Sequence, residues 1–298
     1  MAISAPAAEH AAPTAALRGV LLVVAAAALF GTIGTARVLG PEASSWSVGA
    51  LRLLLAAVAL VALAAWRDGW RPTWRLTLRP ESLLAGGGQA AFQLTFLTAV
   101  ELTGVAVTTL VAIGSAPLLT GLVTRSVTRA WVVATAIALT GLALLVAGGS
   151  VDPLDPTGLV LAVGAGAAYA GYTVASSRLA AEAPPSSVTA AGFVVAAALL
   201  APALAFTDNR WAVTGEGLAL VLYLALAATA LAYLLFVTGL RAVPPATAQT
   251  MGLAEPVVAT VLGIAVLDER LRPVGLIGIA LVLAALVLLA RARLRSAS

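Results

Sequence analysis

The chain has no cysteine, and its 17 cationic residues are all arginine, with no lysine among 298 positions. Without cysteine there is no disulfide, no thiolate nucleophile and no cysteine-ligated metal. The single histidine, His10, lies in a polar Ala/Pro-rich opening segment. That excludes serine–histidine hydrolysis, histidine metal clusters and histidine proton relays. No metal or cofactor is expected. The phosphate-cradling G-x-x-x-x-G-K-[ST] loop is missing too, so energy for any transport is expected from a solute gradient, a proton or a partner. Charge is scarce: 10% of residues carry it, against about 25% in soluble domains. A water-soluble globule of this size needs a charged exterior, so the chain reads as an integral membrane protein. The excess of arginine over 13 acids flanks apolar runs and reports orientation in a bilayer; no nucleic-acid partner is expected.

Apolar residues make up 61% of the chain. Many runs reach the roughly 20 residues that cross about 30 Å of hydrocarbon as a helix. Arg, Pro, Gly and acidic punctuation divides them into ten predicted helices, at 18–37, 45–66, 82–102, 105–124, 130–148, 157–179, 186–206, 216–240, 245–267 and 272–291. Only "ELTG", Glu101 to Gly104, separates the third from the fourth. The break is required because the joined run is twice a bilayer span. The run after Arg18 is too long for a cleaved signal segment and is expected to stay as the first helix. Residues 1–17 read as a disordered tail and 292–298 as a second tail.

Loops and tails on the side of the chain termini hold twelve arginines (18, 67, 71, 75, 79, 125, 129, 178, 241, 291, 293 and 295); the other side holds four (37, 210, 270 and 272). The positive-inside rule places both termini in the cytoplasm. The tryptophans (46, 66, 70, 74, 131 and 211) all fall near predicted helix ends and read as an interfacial belt. In "WRDGWRPTWRLTLRP" Trp and Arg each recur every four residues, while Pro72 argues against an unbroken amphipathic helix there.

A shift of 139 residues superposes the halves. "GVLLVVAAAALFGTIGTA" from Gly19 aligns with "GLVLAVGAGAAYAGYTVA" from Gly158, pairing Phe30 with Tyr169, Thr108 with Thr247 and Pro117 with Pro256. Repeats at 18–148 and 149–291 then hold five helices each. An odd count inverts the second copy, the architecture of secondary transporters with a site near mid-membrane. The interrupted fourth and ninth helices (Pro117; Gly252 and Pro256) and the glycine-containing first and sixth are expected to frame that site.

"GSAPLL" in the fourth helix, "LAEPVVATVLG" in the ninth and "VLDERLRPVGLIGIALVLAALVLL" through the tenth resemble the EamA-type exporters of the drug/metabolite transporter superfamily. The resemblance covers nearly the whole chain after residue 17. It implies alternating access, export as the direction, and substrates such as amino acids, aromatic ones included. The "LDER" turn after the ninth helix has no counterpart in "TRSVTRAW" after the fourth, which suggests different gating contacts at the two ends.

Polar groups inside spans are expected to face the bundle interior. In the third helix Gln89, Phe92, Gln93 and Phe96 share a stripe; Tyr169, Tyr172 and Ser176 share one in the sixth; the eighth offers Thr229, Tyr233 and Phe236, and the fourth Thr108 and Ser115. The glutamines fit interhelical hydrogen bonding equally well. Tyrosines near a helix end would be belt, but Tyr169, Tyr172 and Tyr233 lie deep in their spans. Membrane Ser and Thr most often bond their own backbone. Glu255 lies midway along the ninth helix, too deep to snorkel. Three roles stay open: a bonded structural element, an ion pair with Arg52, or contact with a substrate amine or a coupling proton. Pro256 lacks an N–H and is expected to free the Gly252 carbonyl. Arg52 lies near the external end and can also snorkel. The expected protein is a monomeric transporter of a small-molecule substrate in the lipid bilayer, with protons as candidate partners. Amino acids fit the mixed amide, hydroxyl and ring inventory. Cationic drugs or sugar and nucleotide-sugar derivatives are the alternative substrates, and a channel or intramembrane enzyme the rival class; an enzyme would have only Ser115 with Glu255.

Overall fold

The computed structural model describes residues 13–148 and 155–297, and the described residues contain helices and no strand. Nine helices among them are long and apolar enough to cross a membrane. One, Pro80–Thr124, has 45 residues, about 68 Å of helix at 1.5 Å per residue. Gly104 breaks it with φ 74° and ψ 164°, a backbone conformation open to glycine and closed to residues with a Cβ. The nine helices therefore make ten spans, with the break in the expected "ELTG" segment. We label them α1 (Pro13–Leu39), α2 (Ser45–Arg67), α3 (80–103), α4 (105–124), α5 (Arg129–Ala147), α6 (Pro156–Glu182), α7 (Pro185–Phe206), α8 (Gly215–Gly239), α9 (Pro245–Leu267) and α10 (Pro273–Ala297).

Three boundaries depart from expectation. Helix α1 is described from Pro13; residues 13–17 of the expected tail are thus helical, and residues 1–12, with His10, lie outside the described residues. At the other end α10 continues through the expected tail to Ala297. There Arg293 docks on the end of α8, donating from Nε and Nη2 to the Ala242 carbonyl at 3.0 and 2.8 Å. The third is a short helix, Trp70–Thr77, in the loop where Pro72 spoke against one. Pro72 falls in its first turn, where it begins a helix rather than breaking one. The expected boundary at 148/149 meets residues 149–154, which lie outside the described residues.

The halves pack with the symmetry of the repeat. A Cβ on Gly19 of α1 would come within 2.8 Å of Ala242 after α8; the equivalent Gly158 of α6 meets Leu102 and Thr103 at the end of α3. Likewise α1 packs on α9 and α6 on α4, while α2 pairs with α7 and α5 with α10. Gly141 of α5 abuts Gly278 of α10, and Gly148 abuts Gly275, so α5 and α10 run antiparallel. A two-fold axis along the membrane normal relates parallel helices; antiparallel partners put the axis in the membrane plane. The second repeat is inverted.

Candidate functional site

Mid-bundle, α9 is two helical limbs. The first ends at Met251 and the second begins at Ala254, with Glu255 in its opening turn. A carboxylate there faces the positive end of the limb's dipole. The Gly252 carbonyl, expected to be free opposite Pro256, is taken: Glu255 N–H donates to it at 2.9 Å in a tighter i→i+3 turn. That turn satisfies the backbone and re-aims the second limb. α1 presses on it so closely that a Cβ on Gly31 would lie 2.7 Å from the Glu255 carbonyl. The expected interruption of α4 at Pro117 is not found. The helix runs unbroken past it, with Ile113 where the repeat has Gly252.

Around this break the structure gathers most of the expected residues. Arg52 of α2 donates from Nη2 to Gln93 Oε1 of α3 at 2.9 Å, and Gly49, one turn earlier, leaves room for the Gln93 amide. The expected Arg52–Glu255 ion pair is not a direct one. Arg52 has no carboxylate within 4.0 Å among the described residues, whose ion pairs both belong to Arg79. The Gln93 amide holds the guanidinium instead, and Arg52 interacts electrostatically with Glu255 and Tyr233 at longer range.

Aromatic rings form the wall. Tyr233 of α8 meets Phe30 of α1 at 4.8 Å between centroids, Phe193 of α7 at 4.8 Å and Tyr172 of α6 at 5.3 Å. Tyr169 links Tyr172, Phe92 and Phe236 at 6.1, 5.4 and 6.1 Å, and Phe92 stacks on Phe96. Five helices from both repeats contribute. Among the described residues the Gln89 amide, the Tyr172 hydroxyl and the Thr229 hydroxyl are buried without a well-formed hydrogen bond, Ser176 lying near the Tyr172 hydroxyl and Gln89 near that of Tyr233. Such groups cost about 1–3 kcal/mol each, and they are the positions that a polar solute or water would satisfy. Ser176 is buried one turn beyond Tyr172. Thr108 and Ser115 fall outside this cluster. Thr108 bonds Thr103 across the α3–α4 break at 3.0 Å, and Ser115 bonds the Ala112 carbonyl where α4 meets Gly166.

Several contributors escaped sequence reasoning. Gln249 donates to Thr173 Oγ1 at 2.5 Å and ties the first limb of α9 to α6; its position six residues before Glu255 was the available signal. Phe30 was visible only as the repeat partner of Tyr169, and Phe193 had no polar neighbour to mark it. Residues Tyr223–Leu231 of α8, which include Thr229, form a π-helix. Such segments often occur at functional sites and have no compositional signature.

The ends of the bundle are built alike. Where the chain termini lie, Asp68 after α2 accepts from Ser186 and Ser187 at the start of α7, at 2.5 and 2.8 Å. At the opposite end, Ser47 at the start of α2 donates to Asn209 after α7 at 2.6 Å and accepts from Trp211 Nε1 at 2.8 Å.

Ten spans in two inverted repeats, meeting at a broken helix and a buried polar cluster, are the architecture of a multi-pass secondary transporter. Comparison with known proteins agrees. The EamA-like transporter family model matches residues 156–291. Across both repeats the chain is 40% identical over 280 residues to the uncharacterized transporter YwfM of Bacillus subtilis (strain 168), covering 91% of this chain and 93% of that protein. It is 34% identical over 281 residues to the threonine/homoserine exporter RhtA of Escherichia coli (strain K12), covering 89% and 88%. A crystal structure with 22% identity shares the fold at a TM-score of 0.78, over 92% of this chain and 98% of that one. The chain belongs to the EamA-like transporter family.

Proposed function

We propose that the protein exports amino acids across the bacterial inner membrane by alternating access, with both termini in the cytoplasm. The observation that carries this reading is the separation of Arg52 from Glu255. Opposite repeats supply these charges, they interact electrostatically, and they are not neutralised by direct contact. Isolated charges at this depth are costly. A zwitterion between them relieves that cost: its carboxylate takes the fork of the Arg52 guanidinium, and its ammonium meets Glu255 and the tyrosine faces. The substrate thereby bridges the repeats, and its release to one side or the other accompanies their rocking. Export as the direction rests on the similarity to RhtA, a threonine/homoserine exporter, and the arginine distribution supports the orientation. Arg52 would repel a cationic drug, and a nucleotide-sugar would need several arginines where, among the described residues, Arg52 is the one arginine bonded into this cluster.

Proteoliposomes transporting labelled threonine test the reading. Unlabelled threonine and homoserine should compete, whereas N-acetylthreonine and threonine methyl ester, each lacking one charge, should not. Equal competition by all four would reject a zwitterion site. Glu255 is also our candidate for a coupling proton. Glu255→Gln should abolish the response of transport to an imposed pH gradient; an unchanged response would remove Glu255 from coupling.

A further inference from the structure

At the end that bears the chain termini, a cleft of about 470 Å³ opens between α1, α2, α7 and α8. Arg18 of α1, Arg67 at the end of α2 and Arg241 after α8 line it, together with Ser186, and Leu22, Leu234 and Leu235 form its apolar wall. Among the described residues none of these arginines has an ion pair, since both pairs there belong to Arg79. The nearest acid in sequence, Asp68, holds the Ser186 and Ser187 hydroxyls instead. Three guanidinium groups with no ion pair among the described residues thus line one cleft, and an anion there would be attracted by all three. The cleft lies at interfacial depth, for Trp66 and Trp70 flank Arg67 in the chain and are 81% and 58% exposed, as belt residues are.

We propose that this cleft binds the phosphate of an anionic phospholipid. The guanidinium groups hold the phosphate, and the leucine wall takes the glycerol and the first acyl carbons, which a free phosphate ion would leave uncovered. Basic pockets between membrane helices at this level commonly hold anionic headgroups. A bound headgroup also has a mechanical consequence. Arg18 and Arg67 belong to the first repeat and Arg241 to the second, so the lipid ties the repeats together beside the Asp68–Ser186 bond. It favours the state in which this end is closed, and it makes transport sensitive to the anionic lipid content of the bilayer.

The test is lipid retention by native mass spectrometry on the full-length protein, with phosphatidylglycerol, phosphatidylcholine and soluble glycerol 3-phosphate offered in separate arms. The wild type should retain phosphatidylglycerol over phosphatidylcholine and should not exchange it for glycerol 3-phosphate. Each of Arg18→Gln, Arg67→Gln and Arg241→Gln should reduce the preference about five-fold. The variant Arg125→Gln/Arg129→Gln, in the α4–α5 loop away from the cleft, should keep it. Thermal unfolding in the presence of each lipid gives a second readout and identifies any variant that fails to fold. Equal retention of both lipids by the wild type would overturn the proposal. So would an undiminished preference in all three folded arginine variants, or an equal loss in the α4–α5 control. Displacement by glycerol 3-phosphate would assign the cleft to a soluble anion and overturn the lipid reading.

Discussion

The two ends of the bundle use one construction in different chemistry. Ser47 and Ser186 are equivalent under the 139-residue shift. Each begins the second helix of its repeat and bonds an Asx residue just beyond the second helix of the other. At the far end that residue is the neutral Asn209, itself held by the Leu204 carbonyl at 2.8 Å. Trp211, 8% exposed, packs over it with Val48, Leu220, Val221 and Leu224. At the terminal end the residue is Asp68, which spreads its charge over two hydroxyls beside an open, arginine-lined cleft. One end is a packed aromatic plug and the other a polar clasp beside an open cleft. The inverted fold supplies the same backbone relationship twice, and the side chains decide how hard each end is to open.

Substitutions break this comparison in graded steps. The largest effect is expected from Trp211→Ala, which removes both the ring of the plug and a donor to Ser47; thermal unfolding should register a loss of about 3–5 kcal/mol. Asp68→Ala leaves the Ser186 hydroxyl without its acceptor and Ser187 with Thr73 alone, 3.2 Å away, and should cost about 1–3 kcal/mol. Asp68→Asn installs the far end's chemistry at the clasp, so denaturant midpoints should fall between wild type and Asp68→Ala; a midpoint equal to that of Asp68→Ala would show that the clasp needs charge rather than an acceptor. Ser47→Ala loses both the bond to Asn209 and the one accepted from Trp211 Nε1, leaving that buried N–H without its acceptor, and should cost about 1–3 kcal/mol. The smallest change belongs to the exposed Arg79–Glu182 pair, 2.7 Å apart, in which the Glu182 carboxylate raises the Arg79 pKa. Glu182→Gln should cost less than about 1 kcal/mol, and less still at high salt.

Much of this was legible in the chain. Apolar run lengths and the glycine in "ELTG" located the spans and their break, because a bilayer imposes a minimum helix length and Gly104 alone permits the turn. The repeat was legible from Pro117 and Pro256, although those prolines act differently: a four-residue i→i+3 turn forms at Gly252, while α4 stays continuous at Ile113. Helical stripes grouped Gln89, Phe92, Gln93 and Phe96, and the Tyr169–Tyr172 and Tyr233–Phe236 pairs, and the fold packs the rings of these sets against one another. Partners across helices were not legible. Gln93, not Glu255, bonds Arg52, and Thr108 serves the kink rather than the cluster. Phe193 and the π-turn of α8 depend on packing that no local pattern encodes.

The central claim is that the two ends open in alternation. The absence of native cysteine makes it directly testable with two double variants, Ser47→Cys/Asn209→Cys and Asp68→Cys/Ser186→Cys. Disulfide yields would be measured in proteoliposomes with a transported amino acid placed first on one side of the membrane and then on the other. The account predicts that any condition raising the yield at one end lowers it at the other. Yields that rise and fall together would contradict it.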